Sequence, residues 1–177
     1  MKLSNNKILI TGGASGIGLG LTERFIKENN TVIICGRRED VLKEAVNKFP
    51  SVIIKQCDLS NEAERIELYN WLATNHSDLN VLVNNAGIQN WMNISDNDFY
   101  PKAANEIEIN VVAPVHLTNL FINLKSLNTI INVEYNYKRY IWLGVCAVFK
   151  NSCVFRYQSI YAFVHTFIAA HVEINQH

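Results

Sequence analysis

The sequence predicts an α/β fold in which helices cover both faces of a parallel sheet. Short apolar runs rich in β-branched residues alternate with longer amphipathic stretches over most of the chain. The short runs are apolar on both faces, as strands buried between two helical layers are. Their alternation with helical patterns predicts right-handed βαβ units in an open, doubly wound sheet.

Five strands are expected in the first 133 residues. They are Lys7–Thr11, Thr31–Cys35, Val52–Gln56, Asn80–Asn84 and Thr129–Val133. Helices are expected over residues 19–30, 38–49 and Asn61–Ala73, because apolar residues recur about one turn apart in each of these segments. In the third helix, Ala63, Ile66 and Tyr69–Trp71 are predicted to face the core.

Composition narrows the class of protein. The 177 residues are 49% hydrophobic and 18% charged, which is typical of one globular domain. Lysine plus arginine equals aspartate plus glutamate at 16 each, so the charge gives no support for a nucleic-acid or membrane-surface partner. Since the sequence contains neither a run of about 18 apolar residues nor a leader-like start, we expect a cytoplasmic protein. Its four cysteines show neither CxxC spacing nor a disulfide framework, so we expect reduced thiols, and we expect no metal site.

The segment that follows the first strand gives the first indication of a ligand. Gly12, Gly16 and Gly18 stand between that strand and the first helical pattern. Glycines let the backbone approach a pyrophosphate closely, and the helix start offers unpaired N–H groups to its charge. Three glycines alone also fit an ordinary turn. A second strand that ends about 20 residues later favours a dinucleotide site.

The end of the second strand indicates which dinucleotide is expected. In dinucleotide-binding folds an acidic residue there binds the ribose 2′-hydroxyl of NAD, whereas arginine accommodates the 2′-phosphate of NADP. This chain has Arg37 and Arg38, with no acid until Glu39. The residues therefore favour NADP(H) over NAD(H). The alternative is that both arginines are the solvated start of a helix.

Two more polar patches follow the third and fourth predicted strands, at the sheet edge where such folds bind ligands. Asp58 can accept a hydrogen bond from an adenine amine, or it can cap the helix that starts near Ser60. The run Asn84–Gly87 combines amides with small residues that can lie under a nucleoside. A purely structural role explains this second patch poorly.

These motifs, together with Asn110 in its INVVAP segment, have the order and spacing of the short-chain dehydrogenases/reductases. The chain resembles that family, and its bacterial oxidoreductases most of all, over about residues 5–133. The resemblance implies a Rossmann-like sheet with NAD(P) at its C-terminal edge, and Thr11 and Asn84 tying the first strand to the fourth. By resemblance, the pyrophosphate would lie against Gly12, Ser15, Gly16, Ile17 and Gly18, the adenine against Asp58 and Leu59, and the adjoining nucleoside against Asn85, Ala86 and Gly87.

The catalytic residues of the family are only partly present. Family members use Asn, Ser, Tyr and Lys, and Asn110 matches the first of these, although it also fits a polar residue on a helix face. Glu134 and Tyr135 stand where the family has serine or threonine, and no tyrosine is followed four positions later by lysine. Tyr135 with Arg139 has the spacing, but arginine is a poor substitute for lysine. Whether the chain is an enzyme is therefore left open.

The composition changes near residue 134. All three prolines, all five aspartates and seven of the eight glycines precede it. We expect an NAD(P)-binding domain over residues 1–133 and a divergent tail over 134–177, where Tyr140–Phe149 fits either a strand or a helix of the same domain. The change, with a length short of the family's, suggests an altered reading frame or a truncated product.

Three functions remain open from the sequence. The first is an impaired NADP(H)-dependent oxidoreductase that interconverts a carbonyl and an alcohol on a small molecule. The others are a catalytically inactive cofactor-binding or interaction module, and a truncated remnant. A homo-oligomer is expected only in the intact family fold.

Overall fold

Strands and helices alternate along the chain as the sequence predicts. The computed structural model describes residues 3–136 and 142–149. In chain order the elements are β1 (Lys7–Thr11), α1 (Gly16–Lys27), β2 (Thr31–Gly36), α2 (Glu39–Lys48), β3 (Ile53–Gln56), α3 (Glu62–Asn75), β4 (Val81–Asn84), α4 (Phe99–Ile107), a π-helical turn (Glu108–Val112), α5 (Ala113–Phe121), β5 (Thr129–Asn136) and β6 (Trp142–Phe149).

These strands form one sheet in the order β3-β2-β1-β4-β5-β6. The first five are parallel, with Leu9 of β1 opposite Ile33 on one side and Leu82 on the other. The predicted α/β class is confirmed, and each expected strand lies within three residues of its predicted bounds. The segment that fitted either a strand or a helix contains β6, which pairs with β5 in the antiparallel sense.

Two apolar layers hold the helices against the sheet. Because successive strand residues point to opposite faces, neighbours in β1 belong to different layers. One layer contains Leu9, Ile33 and Leu82 and packs under α3 and α5, whereas Ile8 and Ile34 belong to the layer under α1 and α2. All five of these side chains are 0% exposed. Burial of each contributes about 1.5–3 kcal/mol.

The buried face of α3 differs from the predicted one. Ile66 is 39% exposed, whereas Arg65, Leu68 and Leu72 are buried. Tyr69 and Trp71 do pack against the core, as expected. An arginine therefore occupies a position that the apolar pattern assigned to solvent, and its partners are described with the site below.

Helix α4, the π-helical turn and α5 follow one another without a break. Pro114, near the start of α5, has no N–H and therefore leaves one helical hydrogen bond unmade inside this continuous run. Asn110 lies in the π-helical turn, in the middle of this run. Among the helices that the structure describes, none is both long and apolar enough to cross a membrane.

Candidate cofactor site

The strand order reverses between β1 and β4, which are neighbours in space but not in sequence. In open α/β sheets the loops on either side of such a point diverge and leave a crevice at the carboxyl ends of the strands. The residues predicted to bind the cofactor lie in the segments that follow β1, β2, β3 and β4 at this edge. The fold thus brings the separate motifs to one edge of the sheet.

The glycine loop after β1 has a backbone that most other residues rarely adopt. Gly12 and Gly16 have φ values of 65° and 53°, in the left-handed region that favours glycine. A Cβ added at Gly18 would lie 2.2 Å from the carbonyl oxygen of Gly12 and 2.5 Å from Nδ2 of Asn85. One added at Gly12 would lie 3.0 Å from Cα of Ala86. Only glycine therefore leaves room, at positions 12 and 18, for the loop to approach the segment after β4 this closely.

The start of α1 presents backbone donors at the same edge. Ser15 is the N-cap residue and makes no side-chain capping hydrogen bond, and the first helical bond runs from the N–H of Leu19 to its carbonyl oxygen at 3.1 Å. The N–H groups of Gly16, Ile17 and Gly18 have no acceptor within the described residues. The first turn of α1 contains no acidic residue, unlike those of α2 and α3. Free N–H groups and an uncompensated helix dipole suit an anion.

Thr11 connects the end of β1 to the end of β4. Its hydroxyl oxygen accepts hydrogen bonds from the backbone N–H groups of Asn85 and Ala86, both at 3.0 Å, and donates to the carbonyl oxygen of Val83 at 3.4 Å. Asn85 returns the connection by donating from Nδ2 to the carbonyl oxygen of Thr11 at 2.9 Å. The predicted tie through Thr11 is confirmed.

The expected contribution of Asn84 to that tie is wrong. Its Nδ2 donates instead to Oδ1 of Asn132 in β5 at 2.9 Å and to the hydroxyl of Thr118 in α5 at 3.4 Å. Alternation along β4 explains the difference, because Asn84 and Asn85 point to opposite faces. The Oδ1 atoms of both asparagines are buried and have no hydrogen-bond donor within the described part of the chain.

Arg37 and Arg38 follow β2 and are both exposed. Neither makes an ion pair with any residue that the structure describes. The nearest acid in sequence, Glu39, is paired with Lys43 at 2.7 Å instead. Two guanidinium groups are therefore left without an anionic partner beside the glycine loop.

The Asp58 side chain holds a turn at the end of β3. Its Oδ1 accepts hydrogen bonds from the backbone N–H and the hydroxyl of Ser60, at 2.9 and 2.8 Å. The N-cap of α3 is Asn61, whose side chain accepts from the N–H of Ala63. Asp58 thus orders the turn before the helix without being its cap. Leu59 is buried at 7% exposure.

Arg65 is a central residue of the site's frame that the sequence did not reveal. It is 2% exposed, and its Nη1 donates both to the carbonyl oxygen of Leu59 and to Oε1 of Glu108 at 2.7 Å. Its Nε donates to Nδ1 of His116 at 3.0 Å. One side chain therefore links the segment after β3 to the helix run that carries Asn110. One feature of the sequence could have indicated this burial: the spacing of Arg65, Leu68 and Leu72 places all three on the same face of a helix.

The side chain of Asn110, in the π-helical turn, is hydrogen-bonded to the segment that follows β4. Its Oδ1 accepts from the backbone N–H of Ile88 at 2.8 Å, and its Nδ2 donates to the carbonyl oxygen of Ile88 at 2.7 Å. A Cβ on Gly87 would lie 3.4 Å from the same Oδ1. The side chain thus clamps one peptide segment, and π-helical turns are frequent at functional sites.

Comparison with known proteins decides the family. The model of the short chain dehydrogenase family matches residues 6–146. The chain belongs to the short-chain dehydrogenase family. The match passes residue 133, at which the sequence motifs stop.

Curated relatives agree with this assignment. The uncharacterized oxidoreductase DltE of Bacillus subtilis is 47% identical over 122 residues, which are 68% of this chain and 48% of that protein. The NADP-dependent 3-hydroxy acid dehydrogenase YdfG of Escherichia coli K12 is 35% identical over 82 residues, 46% of this chain and 33% of that protein. This short-chain dehydrogenase therefore spans half or less of the length of these relatives.

Solved structures share the fold. A Pseudomonas aeruginosa RhlG/NADP active-site complex superposes with a TM-score of 0.69 at 23% identity, covering 76% of this chain and 56% of that one. A short-chain dehydrogenase from Streptomyces avermitilis gives a TM-score of 0.65 at 23% identity, over 76% of this chain and 51% of that one. At such identities the likeness shows the Rossmann-like fold alone.

Cys35 and Cys57 of this short-chain dehydrogenase are buried free thiols. Burial raises the pKa of Cys35 well above its usual value, and burial together with the nearby Glu64 and Asp58 carboxylates raises that of Cys57 to about 12. A thiolate is the reactive form, so both groups stay inert near neutral pH. Within the described residues no cluster of His, Cys, Asp and Glu could hold a metal ion.

The positions at which the sequence lacks the catalytic residues of the family lie near the end of the described structure or beyond it. Glu134 and Tyr135 belong to β5, opposite Gly144 and Leu143 of β6. Arg139 and the tail after residue 149 lie outside the described residues. The predictions for those positions therefore stay predictions.

Proposed function

We propose that this short-chain dehydrogenase binds NADP(H) in preference to NAD(H). The observation that carries the proposal is the pair Arg37 and Arg38, exposed and without an ion pair among the described residues, at the end of the strand next to the glycine loop. Arginine suits a phosphate because its planar guanidinium donates two parallel hydrogen bonds. NADP-dependent relatives such as YdfG support the same choice.

The remaining edge residues fit such a cofactor. The N–H groups of Gly16, Ile17 and Gly18, with Gly12 and Ser15, would hold the pyrophosphate at the start of α1. The second carboxylate oxygen of Asp58, which has no donor among the described residues, would meet the adenine together with Leu59. Asn85, Ala86 and Gly87 would line the adjoining nucleoside. When bound, NADP(H) supplies or accepts a hydride.

We further propose that carbonyl–alcohol interconversion on a small molecule is impaired in this chain. Asn110 is present, but the serine and the Tyr-x-x-x-Lys pair of the family are absent from the sequence. Loss of one general acid or base typically costs about 10²–10⁴-fold in rate. A cofactor-binding module without turnover is the limiting case. We place it in the cytoplasm, since free buried thiols such as Cys35 and Cys57 suit a reducing compartment.

Calorimetric titration with NADPH and with NADH tests the cofactor proposal. The wild-type chain should bind NADPH more tightly by about tenfold or more, since charge-assisted hydrogen bonds to the 2′-phosphate are lost with NADH. Arg37→Asp should remove that preference. Lys48→Asp makes the same charge change at the far end of α2 and should preserve it. Equal affinities for the two cofactors in the wild-type chain would contradict the proposal.

Fluorescence separates binding from turnover. NADPH emission should change on binding, yet no NADPH should be consumed with a panel of aldehydes and ketones. Consumption that depends on protein and carbonyl would contradict the proposed impairment. Recovery of the chain only as insoluble protein would favour the truncated remnant.

A further inference from the structure

The four carbonyl oxygens from Cys35 to Arg38 all accept hydrogen bonds. Three of their donors are backbone N–H groups: Gly12 bonds Cys35 at 2.8 Å, Cys57 bonds Gly36 at 3.0 Å and Leu42 bonds Arg38 at 3.1 Å. The carbonyl oxygen of Arg37 is different. Its donor is the side-chain Nε2 of Gln56, at 2.9 Å.

This difference matters because backbone donors persist whatever the sequence, whereas a side-chain donor depends on one residue. Gln56 is the last residue of β3, and its register partner in β2 is Gly36. A Cβ added at Gly36 would meet nothing within 4 Å, so the space beside Gln56 is open. The Gln56 amide thus reaches along the strand end to the residue after Gly36.

We propose that Gln56 is a positioning residue for 2′-phosphate recognition, acting through Arg37. The inference rests on the proposed NADP(H) binding. Gln56 fixes the peptide from which the exposed Arg37 side chain starts. A flexible arginine loses rotamer and backbone freedom when it binds a phosphate, and a fixed starting point reduces that loss. Gln56 itself touches no phosphate in this proposal, so its influence depends on the Arg37 guanidinium.

The variant Gln56→Leu removes the donor at similar size. Because Gln56 is exposed, the substitution leaves the core intact. Calorimetry on the full chain should show NADPH binding weakened about three- to tenfold, because a less fixed Arg37 loses more freedom when it binds the phosphate, with NADH binding changed less than about twofold. Gln56→Glu, which retains the size but lacks the N–H donor, should also lower the preference for NADPH. Asn70→Leu exchanges an exposed amide on α3 and should change neither constant.

A double-mutant cycle with Arg37→Ala decides whether Gln56 acts through the arginine. In the Arg37→Ala background, Gln56→Leu should no longer affect NADPH binding. The proposal is overturned if Gln56→Leu leaves the preference unchanged, weakens both cofactors equally, or has the same effect without Arg37. A wild-type chain that prefers NADPH would still uphold the proposed function in those cases. A wild-type chain without that preference would overturn both.

Discussion

The two sides of the candidate site use their polar side chains in opposite ways. On the arginine side, formed by Arg37 and Arg38, neither side chain has an ion-pair partner among the described residues. On the amide side, formed by Asn84, Asn85 and Asn110, every Nδ2 donates to a protein acceptor. A group without a protein partner is available to a ligand, whereas a paired group fixes the frame that the ligand meets.

This difference between the two sides predicts that substitutions on one side change cofactor affinity, whereas those on the other change the free energy of unfolding. Substitutions on the arginine side should alter cofactor affinity at nearly constant free energy of unfolding, because exposed charges contribute little to folding. Substitutions on the amide side, or in the residues that link the two sides, should lower the free energy of unfolding first. Arg65 is the strongest of these links, since it joins Leu59 to Glu108.

The largest effect is expected for Arg65→Ala. The change leaves Glu108 and the carbonyl oxygen of Leu59 without their donor and opens a cavity, so the free energy of unfolding should fall by about 3–5 kcal/mol. Urea titration measures the loss. Arg24→Ala is the matched control, because Arg24 forms an exposed i,i+4 pair with Glu28 and should cost about 0.5 kcal/mol or less. Similar losses for the two variants would contradict the linking role of Arg65.

Gly18→Ala should have the next largest effect. The new methyl group would overlap the Gly12 carbonyl and the Asn85 amide, so the chain should lose about 1–3 kcal/mol and bind NADPH more weakly. Gly20→Ala in the same helix meets nothing within 4 Å and should gain up to about 1 kcal/mol. Thermal unfolding of both variants checks the contrast. A stable Gly18→Ala variant would mean that the glycine contact is not required.

Asn110→Ala tests the amide side directly. The substitution removes both hydrogen bonds to the Ile88 peptide, which should cost about 1–2 kcal/mol. Asn105→Ala in α4 removes an exposed amide that bonds no described residue, and it should be neutral or slightly stabilising. Urea unfolding gives both values. Asn110 would not act as a clamp if the two variants proved equally stable.

The smallest effect is expected at the opposite edge of the sheet. The hydrogen bond from Lys7 Nζ, at 2.6 Å, holds the pKa of Asp78 below its usual value. The pair therefore stabilises the fold above the unfolded pKa of about 3.9, and that contribution is lost as pH falls through the lower folded pKa. Asp78→Asn should cost less than about 1 kcal/mol at pH 7 and less still near pH 3.

Urea unfolding at the two pH values checks this dependence on Asp78. NADPH affinity should be unchanged, because the pair lies at the start of β1, away from the glycine loop. A difference that grew on acidification, or a weaker affinity, would contradict the prediction.

The parts of the fold that depend on local pattern were predictable. The five parallel strands were found because strands covered on both faces are apolar throughout. The glycine loop was found because its spacing reflects close backbone contacts, such as that between Gly18 and Asn85. Asp58 was left with two possible roles, binding adenine or capping the next helix; the structure gives the cap to Asn61 and shows that Asp58 orders the turn at Ser60.

What escaped prediction depends on contacts between distant segments. Arg65 bonds partners 43 and 51 positions away, which no periodicity within α3 can reveal. Asn84 was assigned to the wrong neighbour because the strand that its side chain contacts, β5, is set by the strand order and by alternation along β4. Gln56 gave no signal, since its partner is a backbone carbonyl that every residue possesses. The direction of β6 was equally hidden, because an apolar run fits a strand or a helix.

The π-helical turn at Glu108–Val112 makes chain length matter more than residue type in the helix run that carries Asn110. Each helical residue turns the chain by about 100°. A one-residue deletion within the turn would let the helix close regularly but would rotate α5 relative to α4 by about that angle. If Leu117 kept its place in the core after this rotation, Asn110 would turn away from Ile88 and lose its hydrogen bonds to that residue. Point substitutions there should therefore be tolerated more readily than single-residue insertions or deletions.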